Sequence, residues 1–382
     1  MIRIIAIKNK DMERVLRKKS LLVTCFSIIM LFTGCGTYAD IRQQKESALD
    51  PAQKDSFSIV VIPDSQDYFG EGTKLEPESQ DEITNPVLES QTNWIVENID
   101  NQRIIFVSHV GDIVDKNIHN QWVKARQYMN IIHGKIPYGI SVGNHDMTPI
   151  GNSSLFQQYF SASRFAEYEW YGGCYNVNDF NSDISGNNAN SYQLFSVEDI
   201  DFLILHLECN APDAVLQWAN EILIKHKERF AIISTHMFLG PLEKPEKPED
   251  YYSATKGVMK WIKRHGINGN TAEEMWIKCF SKHKNIKLIF CGDQSRTNTM
   301  HLELNGNEGN RVHALLSDYM LESGPLRIYR FLPKSNKIKI ITYNPSQDII
   351  VHKTKIIQEN EKHNFEITID FTPFMKNTSK KL

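Results

Sequence analysis

The feature that most constrains this chain is a pattern that recurs five times: an apolar run stops abruptly in a polar cluster. Phe57-Ser58-Ile59-Val60-Val61-Ile62 halts at Pro63, and Asp64, Gln66 and Asp67 follow. Ile104-Ile105-Phe106-Val107-Ser108 runs into His109-Val110-Gly111-Asp112. Ile140-Ser141-Val142 ends in Gly143-Asn144-His145-Asp146. Phe230-Ala231-Ile232-Ile233-Ser234-Thr235 ends in His236, and Ile286-Lys287-Leu288-Ile289-Phe290-Cys291 in Gly292-Asp293-Gln294. Short, near-continuous apolar runs of this kind read as strands buried on both faces.

Helical patterns separate the first three runs. One spans Gln91 to Asn98; in the other, Trp122, Ala125, Met129 and Ile132 recur at three- and four-residue spacing. That spacing gives one apolar helix face. Alternating strands and helices indicate an α/β fold with parallel strands, whose carboxyl-end loops converge on one crevice. Asp64, Asp112, Asn144, His236 and Asp293 are therefore expected to meet. Taken singly each has an ordinary explanation: Asp112 as a helix cap, His236 as a hydrogen-bonded core histidine. Together the carboxylates repel, so protons or metal cations must compensate them. Gly143 permits a sharp turn, and Asn144, His145 and Asp146 offer an amide oxygen, an imidazole and a carboxylate.

Residues 70–86 and 240–256 read as loops, the second charged, and residues 176–190 as a Gly/Asn/Asp/Ser loop after an aromatic-rich stretch. Specificity is expected from the loops 172–190 and 240–256. A helix is expected at Trp276 to Phe280, and strands over 326–331 and 337–341. No linker or repeat interrupts the chain, which predicts one domain over 56–375. With 382 residues, 41% of them hydrophobic, one large core is affordable. A net charge of -3 gives no electrostatic footprint for nucleic acid, and none is expected as a partner.

Arg14, Arg17, Lys18 and Lys19 precede the apolar run Leu21 to Phe32, the shape of a secretory signal over 1–35. Phe32-Thr33-Gly34-Cys35 resembles a bacterial lipobox, which implies lipid attachment at Cys35, a polar tether over 36–55 and a cell-envelope location. Cys174, Cys209, Cys279 and Cys291 are scattered without a Cys-x-x-Cys pair, so a zinc ribbon is not expected.

Asp64-x-Gln66, Gly111-Asp112-x-x-Asp115, Gly143-Asn144-His145-Asp146, His236 and Gly292-Asp293 resemble the ordered motifs of the calcineurin-like metallophosphoesterases. The resemblance covers about residues 57–345. It implies a four-layer αββα sandwich of two mixed β-sheets and one or two divalent metal ions. Asp112 would bridge the metals, Asp64 and Gln66 would serve the first, and Asn144, His236 and Asp293 the second. His145, held by Asp146, would protonate the leaving oxygen, with Asp115 in a supporting role. The implied reaction is metal-assisted hydrolysis of a small-molecule or lipid phosphate ester, mono- or diester. His109 and His206 could contact substrate, and Arg164 and Arg296 could clamp phosphate.

Two motifs depart from the family pattern. Gln66 replaces a histidine, and Gly292-Asp293-Gln294-Ser295 replaces Gly-His-x-His. Oxygen in place of imidazole favours Mn²⁺ or Mg²⁺ over Fe or Zn²⁺. The same losses raise the alternative of a degenerate phosphoesterase fold that binds without turnover.

Overall fold

The computed structural model describes residues 49–175, 183–322 and 324–376. The expected signal and lipobox, and most of the expected tether, lie outside these residues. Of the tether, residues 49–55 are described and already bound to the domain: Ala52 N donates to Asn101 O (2.9 Å), and Leu49 packs on the core.

Four of the five apolar runs become strands along their length, because their β-branched and aromatic side chains fill both faces of a sheet; of Ile140-Ser141-Val142 only Ile140 lies in a strand, which ends there. The chain first lays down β1 (Phe57–Ile62), β2 (Ile104–His109) and β3 (Tyr138–Ile140). It then crosses to β4 (Tyr171–Cys174), β5 (Ser191–Val197), β6 (Ile200–Leu207) and β7 (Phe230–Thr235). A small hairpin, β8 (Leu239–Pro241) and β9 (Lys256–Val258), precedes β10 (Ile286–Cys291), β11 (Thr299–Asn305) and β12 (Arg311–Ser317). The chain returns through β13 (Leu326–Leu332), β14 (Lys337–Asn344), β15 (Ile349–Ile350) and β16 (Phe365–Thr368).

The first sheet has the order β15-β14-β13-β1-β2-β3, with β16 also on β14; the second has β11-β12-β10-β7-β6-β5-β4. Both are mixed, as expected. In the first, β1, β2 and β3 are parallel and β13 is antiparallel to β1. In the second, β6, β7, β10 and β12 are parallel, with β5 and β11 antiparallel at their flanks.

Alternation along β1 shows the layering. Phe57, Ile59 and Val61 join Phe202, Ile232, Phe290 and Tyr329 in an apolar cluster between the sheets. Val60 and Ile62 point the other way, into a cluster with Trp94, Trp122 and Met129 of the helices. A period of two along a strand produces this split. Burial on both faces explains why the runs lack polar alternation.

The helix expected from Gln91 begins at Pro86 and runs to Glu97. Proline suits a first helical turn because its missing N–H would have had no partner there. Asn85 caps this helix by accepting from Leu88 N. The helix expected at Trp276 runs Ala272–Lys278, started by a reciprocal cap between Thr271 and Glu274. The charged 240–256 stretch is not a plain loop; it contains β8, a short helix Asp250–Ser253 and the start of β9.

A buried polar bridge joins the sheets near the carboxyl ends of the strands. Ser108 on β2 bonds His206 Nε2 (2.9 Å) and Ser234 Oγ (3.0 Å), and Ser141 donates to Ser234 Oγ (2.9 Å). Gln193 Oε1 takes the other nitrogen of His206 at 2.7 Å. Paired this way, the polar atoms avoid the desolvation cost of burial and fix how the two sheets meet.

Candidate metal centre

The strand ends of both sheets converge. Asp64 follows β1, Asp112 follows β2 and Asn144 follows β3; His236 and Asp293 follow β7 and β10. His236 is fully buried, and its Nε2 lies 3.2 Å from Asp112 Oδ2, 3.4 Å from Asp293 Oδ1 and 4.0 Å from Asp64 Oδ2. Its Nδ1 donates to Val110 O at 2.9 Å, which fixes the ring and turns Nε2 toward the carboxylates.

The backbone accommodates this crowding in unusual ways. Asp112 and Asp293 both have positive φ, 52° and 72°. Such strain in a non-glycine residue persists only where surroundings fix it, and it clusters at functional sites. A Cβ on Gly292 would run into Asp64 Oδ1, and one on Gly143 into Asp112 Oδ1. These two glycines are required by close approach of a side chain to the backbone.

On the first sheet the turns interlock. Asp112 Oδ1 accepts from His145 N at 2.8 Å. The role expected for Asp146 needs correction: its carboxylate does not hold the His145 ring. It accepts from Gly143 N (2.8 Å) and Val114 N (3.2 Å), tying the Gly143 turn to the Asp112 turn. The ring is held by Asp115, whose carbonyl oxygen sits 2.7 Å from His145 Nδ1 and whose carboxylate lies at 3.7 Å. The reason is geometric: a carboxylate one residue on points back under the loop and satisfies backbone N–H groups there. His145 is 32% exposed at its side chain and lines a cavity of about 810 Å³.

Two residues of the centre escaped the sequence reading. Asp318 follows β12 and is buried, and its charge acts on Asp64. The run Ala314-Leu315-Leu316-Ser317 before it repeats the strand-end pattern, without a glycine to mark it. Lys263, in the segment after β9, forms a tight ion pair with Asp293 Oδ1. No local signal marks it.

The electrostatics follow from four buried carboxylates against few cations. Burial, then the charge of Asp318, pushes Asp64 well above the ordinary carboxylate range. Burial and Asp293 raise Asp318 to about 7. Burial would also raise Asp112, but His236 outweighs it and holds Asp112 below the usual range. Burial opposes charge on His236, yet Asp112 and Asp64 lift its pKa well above an ordinary histidine's. Asp293 is held low against burial by Lys263.

This donor set fits a divalent cation. One ligand atom each from Asp64, Asp112 and His236 lie within 4.8 Å of one another. Metal–ligand bonds of about 2.0–2.2 Å place donors roughly 3–4 Å apart, matching the spacings around His236. Gln66 contributes a buried Oε1 with no hydrogen-bond partner, while its Nε2 donates to Met320 Sδ at 3.2 Å. With its amide nitrogen turned to Asp293, Asn144 hydrogen-bonds Asp293 Oδ1; with its oxygen turned there, both oxygens face one point, as ligands of one cation would.

The remaining candidates separate cleanly. His109 is buried, bonds Ser65 Oγ (2.9 Å) and accepts from Gly111 N (3.1 Å); burial lowers its pKa to about 3. It is structural, as is His206 in the inter-sheet bridge. Arg164 bonds Tyr138 OH and Asn130, away from the cavity. Arg296 lines the cavity, stacked over the Tyr251 ring at 5.7 Å. Cys209, Cys279 and Cys291 are buried thiols. The mouth is built by Phe69, Lys74 and Leu75 with Met320 and Leu321; among the described residues, loops 172–190 and 240–256 supply none of its lining. Instead the β1 loop folds back over the site, with Phe69 pairing Thr84.

The family model for calcineurin-like phosphoesterases matches residues 57–296, and the chain belongs to that family. The chain is 26% identical over 343 residues to the uncharacterised protein YvnB of Bacillus subtilis, covering 85% of this chain and 23% of that protein. It thus spans less than a quarter of that relative's length. Similar solved structures include a purple acid phosphatase from yellow lupin (12% identity, TM-score 0.49, 85% of this chain and 56% of that one). A 5'-nucleotidase precursor from Thermus thermophilus is another (11% identity, TM-score 0.39, 84% and 56%).

Proposed function

We propose that this chain is an exported hydrolase of small-molecule or lipid phosphate esters, using one divalent cation held by Asp64, Asp112 and His236. The observation that carries it is His236 Nε2 and the buried carboxylates of Asp64 and Asp112 converging on one point beside the cavity-facing His145. A cation there supplies Lewis-acid polarisation of a phosphoryl oxygen and activation of water. Gln66 Oε1 adds an oxygen donor, and the oxygen-rich set favours Mn²⁺ or Mg²⁺. Stoichiometric, tight zinc in protein purified without chelator would count against that preference.

The residues of the chain do the rest. Lys263 sits on Asp293, where the expected second set of Asp112, Asn144, His236 and Asp293 would close. Its ammonium puts a positive charge at the cavity wall, where it can face a phosphoryl oxygen. Arg296 and Lys74 at the wall can bind the remaining phosphate oxygens. Asp115 commits His145 Nδ1, so Nε2 is the nitrogen that hands a proton to the leaving oxygen, a role worth about 10²–10⁴-fold. Phe69, Leu75 and Leu321 give the mouth an apolar lip for the leaving group.

Hydrolysis of a chromogenic phosphodiester and monoester with added Mn²⁺ tests this, run beside Asn144→Ala and His145→Ala. Turnover in the unaltered chain that falls at least about 100-fold in His145→Ala supports it. Equal residual rates in all three favour a second reading: a binding protein on this fold. The Lys263–Asp293 ion pair motivates that reading, because it satisfies Asp293 without a metal. Export and attachment through Cys35 rest on residues 14–35; loss of fatty-acid labelling in Cys35→Ala checks them.

A further inference from the structure

A second cluster of metal-binding side chains lies outside the cavity, on the antiparallel pair β11 and β12. Glu303 stands opposite His313, and His301 opposite Leu315. His301 and Glu303 are two apart and share a face of β11, with His313 diagonal to the first and directly across from the second. His301 Nε2 lies 2.9 Å from His313 Nδ1, and Glu303 Oε1 lies 3.9 Å from that same nitrogen. One donor atom from each falls within 4.8 Å of the others.

We propose that His301, Glu303 and His313 form a separate transition-metal site, of the chemistry that binds Zn²⁺. Tetrahedral zinc, with bonds of about 2.0–2.1 Å, holds its donors roughly 3.3 Å apart. The two observed spacings bracket that value. One ring is supported by β16, whose Phe365 stacks on His301 (centroids 5.3 Å, 23° between planes), while His313 is buried on β12. Arg311 engages Glu303 Oε2 at 3.2 Å and leaves Oε1 turned to the rings. β11 is an edge strand, so His301 and Glu303 can be reached from solvent. Three protein ligands leave one position for water or an incoming group.

Zinc added to chelator-treated full chain, counted by native mass spectrometry and titrated by calorimetry, tests the proposal. The unaltered chain should bind one zinc more than His301→Gln, and Glu303→Gln should bind that zinc at least about tenfold more weakly. The extra zinc should persist in Asp112→Ala, which disables the cavity centre, and His301→Gln should leave phosphoesterase turnover unchanged. Equal zinc counts and affinities in the unaltered chain, His301→Gln and Glu303→Gln would overturn it, leaving two rings that only hydrogen-bond each other. The proposal does not depend on the phosphoesterase reading.

Discussion

The two sheets contribute to the centre in different ways. On the first sheet, Asp112, Gly143, His145 and Asp146 are locked through backbone groups: carboxylate oxygens accept from the N–H of His145, Gly143 and Val114. On the second, Asp293 is met by the side chains of Lys263, His236 and Gln294. The first arrangement persists whether or not an ion is bound, because its partners are main chain. The second can be rearranged, because a cation can displace an ammonium or an amide. The first sheet is thus the fixed half of the site and the second the adaptable half.

The largest effect should come from the residue shared by both halves. Asp112→Ala should abolish metal-dependent turnover and weaken Mn²⁺ binding more than about 100-fold, since even residues that only support ligands cost 10–100-fold. Calorimetric titration checks this, and unchanged Mn²⁺ affinity would break the comparison. Asp146→Ala should act on the fixed half alone. Two buried N–H groups lose their acceptor, at about 1–3 kcal/mol each, which urea denaturation will show as a lowered midpoint. Stability within error of the unaltered chain would mean the turns do not interlock.

Lys263→Met should act on the adaptable half alone. Without the ammonium, Asp293 and Asn144 become available, and bound Mn²⁺ measured by elemental analysis should rise from one equivalent to two. A count that stays at one would show that Lys263 does not stand in for a second ion. The smallest effect belongs to the cavity wall: Arg296→Ala should raise KM roughly fivefold, about 1 kcal/mol, with kcat nearly unchanged. A change confined to kcat would move Arg296 from binding to chemistry.

What the sequence revealed follows the same division. Strand runs, their polar ends and the order of motifs are local signals, so β1, β2, β3, β7 and β10 and the five residues after them were legible. Gly143 and Gly292 were legible as turn residues, and the structure adds that side chains press against them. Asp318 repeats the strand-end pattern but follows serine, with no glycine or histidine to flag it. Lys263 reaches Asp293 from a segment 30 residues earlier, a contact made by packing alone. Asp146 and Asp115 were both visible, but which one meets His145 depends on loop direction, which side-chain chemistry does not encode. The part of the cavity mouth built by Phe69, Lys74 and Leu75 was not legible, because the fold-back of the β1 loop is tertiary.

The most direct test of the central claim is an anomalous-difference map from crystals soaked in Mn²⁺. The account predicts a peak bonded to Asp64, Asp112 and His236 Nε2, with Lys263 still on Asp293. No peak at these residues, with manganese bound elsewhere or not at all, would contradict it.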